Sequence, residues 1–491
     1  MRGLLSKLNA AAAAVLTAAA VLVSPAAAAE TLTLTGVMTG ADHQTYREVP
    51  FRVPAGTSAI TVEFAHTGKD QKSVIDLGIR DPARFRGWSG GNKSTFTLAE
   101  AWATPSYLPG PLPAGEWKLI LGVPNLRQDA RAEYTAKITL SDTAAFHGFA
   151  EAPLKAGPAW YRGDLHLHTQ HSDGGCPSRT GKRIPCPAFK TLEAAAGRGL
   201  DFVAVTDHNT SSHFQDLAEL SAYYDDQLVI PGREVTTFHG HANVFGMTAP
   251  LDFQLGSARA PDLGRILAQV EAAGGLISLN HPGQPSGEAC MGCGWTAKTD
   301  FARIPAIEAI NGVNATGPLS GIPFWEKRLN DGHRITAVGG SDNHDASLTG
   351  LRSVGVPTTV VRAENLSQDA ILAGIRAGHV FVDTQGTRDR LLEVTAQAAG
   401  AKAEMGDVLP TPKDALVRLH IRVKGAAGGK VVLRSDEPKF VPPNPISVEG
   451  DDATVDVAFG VDGKRHWVRV DVTGPDGALW LLGNPVYLRK P

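Results

Sequence analysis

Apolar and polar positions alternate in short runs through the first third of the chain, at 31–35, 59–64, 73–79, 117–123 and 134–140. A period of two sends successive side chains to opposite faces of a strand, so these runs predict half-buried β-strands. Between them stand turn-forming clusters such as Pro54-Ala55-Gly56 and Leu112-Pro113-Ala114-Gly115. Together they predict an antiparallel sandwich over 30–156. From Trp160 to Asp383 the rhythm changes. Helical periodicity at 189–198, 262–273 and 367–377 alternates with apolar runs at 202–206, 227–231, 275–280, 306–311 and 335–339. Strand–helix alternation of this length predicts an α/β domain with parallel strands, 157–384, as a barrel or an open sheet. Short alternating strands return at 392–396, 417–423, 430–435, 454–459 and 467–473, which predicts a C-terminal β-rich domain over 385–491.

The first residues read differently. Arg2 and Lys7 precede an Ala/Leu/Val run from Ala10 to Val23, and Ala27-Ala28-Ala29 supplies small residues before Glu30. That layout predicts a secretory signal peptide, 1–29, cleaved near Ala29. The apolar run is shorter than the roughly 18 residues a spanning helix needs, so the expected mature chain is periplasmic or secreted, with no transmembrane segment. Loss of Arg2 and Lys7 takes the formal charge from −3 to −5. A mildly acidic chain offers no electrostatic reason to bind duplex nucleic acid. The four cysteines fall as Cys176/Cys186 and Cys290/Cys293. Outside the cytoplasm disulfides are the default, and the two local pairs are preferred among the three possible pairings. A redox Cys-x-x-Cys or a four-thiolate zinc site are the rival readings.

Candidate chemistry collects where the middle strands are expected to end. His166 and His168 alternate with Leu165 and Leu167, so a strand would aim both imidazoles to one side, and Asp173 follows in the loop. Thr206 leads into Asp207-His208-Asn209, Pro231 into Gly232-Arg233-Glu234, with His241 seven residues on. Leu279 leads into Asn280-His281-Pro282, and Gly339 into Ser341-Asp342-Asn343-His344. A single Asp-His after a strand is more often a cap or a hydrogen-bonded core histidine. Five such pieces at successive strand ends point instead to a shared metal site, because C-terminal strand ends are where distant residues converge in parallel α/β folds.

These motifs together resemble the PHP (polymerase and histidinol phosphatase) superfamily, and most of all its CehA/McbA-type metallohydrolase branch. The likeness runs through the middle domain into Ala373-Gly374-Ile375-Arg376-Ala377-Gly378. The resemblance implies a distorted seven-stranded (β/α) barrel, here flanked by N-terminal and C-terminal β-sandwich-like domains. It also implies two or three divalent ions, commonly zinc, manganese or iron. Carried over by motif, His166, His168, Glu234 and Asp342 would hold a first ion. A second would lie between Glu234, His241 and His281, with Glu234 bridging, and a third between Asp173, His208 and His344. His239 competes with His241 for its place, and His171 stands where relatives often carry an aromatic residue.

Two ions sharing a carboxylate lower the pKa of a water between them and so make a hydroxide nucleophile, which suits ester hydrolysis. Glu234, Asp342 and His281 would position it. The leading expectation is a phosphoesterase acting on small phosphate esters or nucleotides. Carboxyl or carbamate ester hydrolysis in the same site is the alternative, and a metal-stabilised extracellular binding protein is the rival from another class. Arg233 and Arg352 are candidate phosphate clamps against an ordinary salt-bridged or solvated role. Asp207 is a candidate support for a ligand or a cap, and Trp295 and His213 are candidates for the rim.

Overall fold

The computed structural model describes residues 30–143, 148–288 and 290–489. The predicted signal segment and its cleavage position lie outside them. The chain divides into two compact units, with the division at Ala144/Ala145.

In the first unit, Glu30–Thr39, Arg131–Ser141, Ala59–His66 and Thr95–Ala99 form one antiparallel sheet. Tyr46–Val53, Gly115–Asn125, Val74–Arg80 and Phe85–Gly90 form a second. Alternation does the sorting. Strand Arg131–Ser141 buries Ala132, Tyr134, Ala136, Ile138 and Leu140 while the residues between them face outward. Those side chains share one core with Leu77, Ile79, Trp117, Leu119 and Leu121 of the other sheet, so each sheet hides one face.

The second unit does not form the (β/α) barrel expected from the sequence. The described chain is 42% strand and 14% helix, with five short α-helices and many sheets. The strand order shows why. Lys155–Asp164 pairs parallel with Phe202–Val203, and that with Leu228–Val229, but these two partners are only two residues long. On its other side Lys155–Asp164 pairs antiparallel with Thr358–Leu366, which passes the ladder to Val380–Asp383 and then to Leu479–Gly483. The sheet therefore grows outward into the C-terminal strands instead of closing.

A separate five-stranded sheet begins with the antiparallel hairpin Gly232–Thr237/Gly240–Phe245. Its connection, Phe238-His239, leaves no room for a crossover helix. Leu276–Leu279, Ala306–Asn311 and Thr336–Gly340 complete that sheet, the last three strands being parallel. Among the described residues, isolated bridges at Leu167–Asn343 and His208–Glu234 link the segments that follow Asp164 and Val203 to the two ends of the five-stranded sheet. The candidate site lies at that junction.

Candidate metal centre

His166 and His168 do not sit on a regular strand. The ladder stops at Asp164, whose fully buried carboxylate accepts from the backbone N–H of His166 (3.1 Å), Ser341 (3.0 Å) and Gly355 (2.7 Å). Burial raises its pKa despite those donors. Asp164 thus ties three segments together just ahead of the histidines, a role the sequence reading did not assign. The alternation still holds locally: Leu165 and Leu167 are buried, and the His166 and His168 rings lie 5.2 Å apart.

Glu234 stands on the hairpin strand Gly232–Thr237 and faces Asn243, while Thr236 faces His241. Paired residues share a face, so Glu234 and His241 project together. His239, two residues earlier, falls in the exposed turn. Glu234 is 0% exposed. Its Oε2 is 3.4 Å from His166 Nε2, 3.5 Å from His168 Nε2 and 2.8 Å from His208 Nδ1. Its Oε1 lies 3.3 Å from His241 Nδ1 and 3.4 Å from His281 Nε2, and accepts from Asn280 Nδ2 at 2.9 Å.

Asp342 Oδ1 lies 3.3 Å from His166 Nε2 and 3.1 Å from His168 Nε2. Asp173 Oδ1 lies 3.2 Å from His344 Nε2, 3.7 Å from His208 Nε2 and 3.9 Å from His168 Nδ1. The nine sequence-selected residues are thus brought together. Their ligand atoms form overlapping groups, each within 4.8 Å: His166/His168/Glu234, His166/His281/Asp342 and His168/Asp173/His208/His344. His281 and Asp342 both have positive φ, 29° and 50°, strain of the kind that persists where surroundings over-determine a conformation.

Exposure is graded across the cluster. His166, His168 and Glu234 side chains are fully covered, whereas those of His208, His344 and Asp173 are 27%, 36% and 58% exposed. One end therefore opens to solvent.

The electrostatics set the protonation of the metal-free cluster. Burial pushes the His166 imidazole down, but the carboxylates of Asp342, Glu308 and Glu234 outweigh it and hold the ring well above its ordinary value. Burial also pushes Glu234 and Asp342 up, and the surrounding imidazoles overcome that, holding both carboxyls well below theirs. For His168 burial wins and the pKa falls.

Stacked rings, His168 on His344 at 4.1 Å and on His208 at 4.5 Å, cannot all carry protons without setting like charges face to face. If they are all neutral, buried carboxylates lack counter-charge. Divalent ions resolve both problems, and the donor set fits them. His166 Nε2, Glu234 Oε2 and His281 Nδ1 are buried with no hydrogen-bond partner. Nitrogen and carboxylate oxygen donors together suit zinc, manganese or iron.

Two supports lie beside these nine residues: Glu308, which the sequence did not mark, and Asp207, which it marked as a candidate support. Glu308, 2% exposed, accepts from His281 N–H at 2.8 Å and from Asn311 Nδ2 at 3.1 Å, and its Oε1 meets His166 Nδ1 at 2.9 Å. It therefore orients one imidazole and anchors the segment bearing another. Its signal was a lone acid inside the apolar run 306–311, which a buried strand does not carry without a partner. Asp207 accepts from Thr169 N–H (2.8 Å) and from the hydroxyls of Thr169 (2.6 Å) and Ser172 (2.5 Å), so it holds the loop after His168.

Other candidates turn elsewhere. Arg233, buried, donates to the Ala249 carbonyl at 2.8 Å, and Arg352 is exposed. His213 is buried against the Gly232 carbonyl at 2.9 Å, and Trp295 Nε1 donates to Thr299 Oγ1 at 2.8 Å. His171 lies between Ser212 Oγ (2.9 Å) and Asp216 Oδ2 (3.0 Å).

Both local cysteine pairs are bonded, with Cα–Cα distances of 4.9 Å for Cys176–Cys186 and 5.6 Å for Cys290–Cys293. No helix among the described residues is long and apolar enough to cross a membrane.

No family model and no curated protein matches the chain. A solved structure that does match is a two-domain protein from Bacteroides vulgatus, described as containing a predicted PHP-like metal-dependent phosphoesterase. It is 18% identical, the match covers 70% of this chain and 99% of that one, and the TM-score is 0.38. A likeness that loose carries no argument about chemistry.

Proposed function

We propose that this protein is a metal-dependent hydrolase acting on small phosphate esters or nucleotides, with the Glu234 cluster as its active site. One observation carries the reading: a fully buried carboxylate lies within 3.5 Å of five imidazoles, in a cluster that opens to solvent at one end. Divalent ions held there would supply Lewis acidity and a water of lowered pKa. The chain's own residues do the rest. Glu234 holds both halves of the cluster at one point, Asp342 draws His166 and His168 together, and Glu308 sets the His166 ring. Asp173, His208 and His344 face the open end, where an ester enters. The motif resemblance to the PHP superfamily, and to its CehA/McbA-type branch, supports the same reading from the sequence side. The two disulfides support placement of the mature chain in the periplasm or outside the cell.

Carboxyl or carbamate ester hydrolysis is the second reading. It is favoured by the Arg233 guanidinium spending itself on a carbonyl instead of facing the cluster. A panel of nitrophenyl phosphate, bis-nitrophenyl phosphate, nucleotides and nitrophenyl acetate separates the two. We expect turnover of phosphate esters, at least about a thousandfold lower in Glu234→Gln than in the parent, since that change removes several kcal/mol of charge stabilisation. Turnover of the acetate alone would reverse the ranking. Bound metal with turnover of none of these substrates would favour an extracellular binding role.

A further inference from the structure

A fourth group of donors joins the cluster, and it contains sulfur. Ligand atoms of His241, His281 and Cys293 lie within 4.8 Å of one another. All three residues are buried, Cys293 completely, and His281 Nδ1 has no hydrogen-bond partner. The loop bearing the cysteines is fastened to the same histidine, with His241 Nε2 3.2 Å from the Met291 carbonyl oxygen. Cys293 is bonded to Cys290, which is partly exposed and is followed by Met291 at 74% exposure. Cys293 therefore lies with the histidines of the site while Cys290 lies nearer the surface.

We propose that Cys290–Cys293 is a redox switch on the ion held by His241 and His281. In the reduced form the Cys293 thiolate is an additional ligand, and the disulfide withdraws it. This rests on the metal-centre reading above. The exchange balances with a dithiol as reductant. Its thiolate attacks Cys290 Sγ, the Sγ–Sγ bond breaks, and the electron pair leaves on Cys293 Sγ beside the two imidazoles. The second thiol of the reductant then attacks the mixed disulfide and leaves as its cyclic disulfide, freeing Cys290. Attack from outside on Cys290 makes the buried sulfur the leaving group, which is the arrangement a metal ligand needs. A thiolate donor also shifts preference from manganese toward zinc, iron or cobalt.

Cobalt(II) reports the donor directly. The full chain is reduced with dithiothreitol, freed of it under nitrogen, and titrated with cobalt. It should show a near-ultraviolet thiolate-to-cobalt charge-transfer band that the oxidised chain lacks. Chelator competition should show it holding one cobalt at least about tenfold more tightly than the oxidised chain does. Cys290→Ser, which leaves Cys293 free, should show the band without reduction, and reduced Cys293→Ser should not. Visible cobalt bands with no charge-transfer band in the reduced parent and in Cys290→Ser would overturn the switch and leave the metal centre standing. So would a band that persists in Cys293→Ser. Failure to bind cobalt in either redox state would overturn both.

Discussion

Glu308 touches His166 through Nδ1 and leaves Nε2 free to face Glu234 and Asp342. A carboxylate behind an imidazole fixes its tautomer and raises its basicity toward whatever the other nitrogen binds. Glu308→Gln keeps the shape and loses the charge. We expect metal affinity to fall about 10- to 100-fold, measured by chelator competition, and the thermal midpoint of the metal-free protein to fall as well, because the buried His166 ring loses one of its counter-charges.

Asp173 and His344 form the exposed end of the cluster and make a pH-dependent pair. Burial alone would raise Asp173, but its hydrogen bond to His344 and the nearby imidazoles hold it at about 2, against an ordinary 3.8. Burial alone would lower His344, but Asp173 and Asp342 lift it to about 9, against an ordinary 6.5. The depressed acid stabilises the fold above pH 3.8 and loses that contribution as the pH falls through about 2. The raised histidine stabilises it below pH 6.5 and loses that contribution as the pH rises through about 9. Denaturant midpoints of metal-free parent and Asp173→Asn should differ most between pH 3.8 and 6.5 and converge above about 9. Asp173 is 58% exposed, so solvent screening keeps the difference below about 1 kcal/mol.

At the scale of elements, the site is held by close approaches between segments. Gly340 ends strand Thr336–Gly340 directly against the site. A Cβ there would collide with Glu308 Oε1 and with His166 Cβ. Gly340→Ala should therefore displace the very pair that orients His166, costing roughly 1–3 kcal/mol of stability and weakening metal binding together. Parallel loss of thermal midpoint and metal content would show it. The hairpin Gly175–Pro177/Arg183–Pro185 is tied to the site's backbone, with Gly175 N–H donating to the His344 carbonyl at 2.7 Å. Its disulfide, Cys176–Cys186, spans 10 residues. Replacing both cysteines by alanine should cost about 2–3 kcal/mol by loop-closure entropy, read as a lowered denaturant midpoint.

Elements were also where the sequence was easiest to interpret. The alternating run at 59–64 corresponds to strand Ala59–His66, and the helical periodicity at 262–273 to helix Leu263–Ala272 capped by Asp262. Periodicity is a local property, so it survives folding. The alternating segment 165–168 and the largely apolar segment 204–206 lie outside regular strands: the Asp164 carboxylate takes up the His166 N–H, and Ala204 and Thr206 donate to the Asp164 and Leu167 carbonyls. An apolar run does not say where its hydrogen bonds go.

For the whole molecule, the change of rhythm near 384 hides a continuous sheet. Val360 and Phe381 share a core with Leu392, Leu419 and Val470, and Val380–Asp383 is hydrogen-bonded to Leu479–Gly483. A chain ending at 384 would expose that core face and an unpaired strand edge. We expect it to aggregate and to bind no metal, as light scattering and metal analysis would show. A monomeric, metal-loaded product would contradict this.

By itself the sequence determined which histidines and carboxylates stand as candidate donors. Histidine and carboxylate motifs placed after apolar runs are chemical statements, legible wherever the chain goes, and the nine chosen residues lie together in space. It also determined most strand positions, through alternation. Only the tertiary structure decided the strand pairing, which runs in two sheets with an antiparallel hairpin at Glu234 instead of a closed barrel. It alone recruited Glu308, Asp164 and Cys293. Pairing and recruitment depend on contacts between residues far apart along the chain, and no local pattern carries that information.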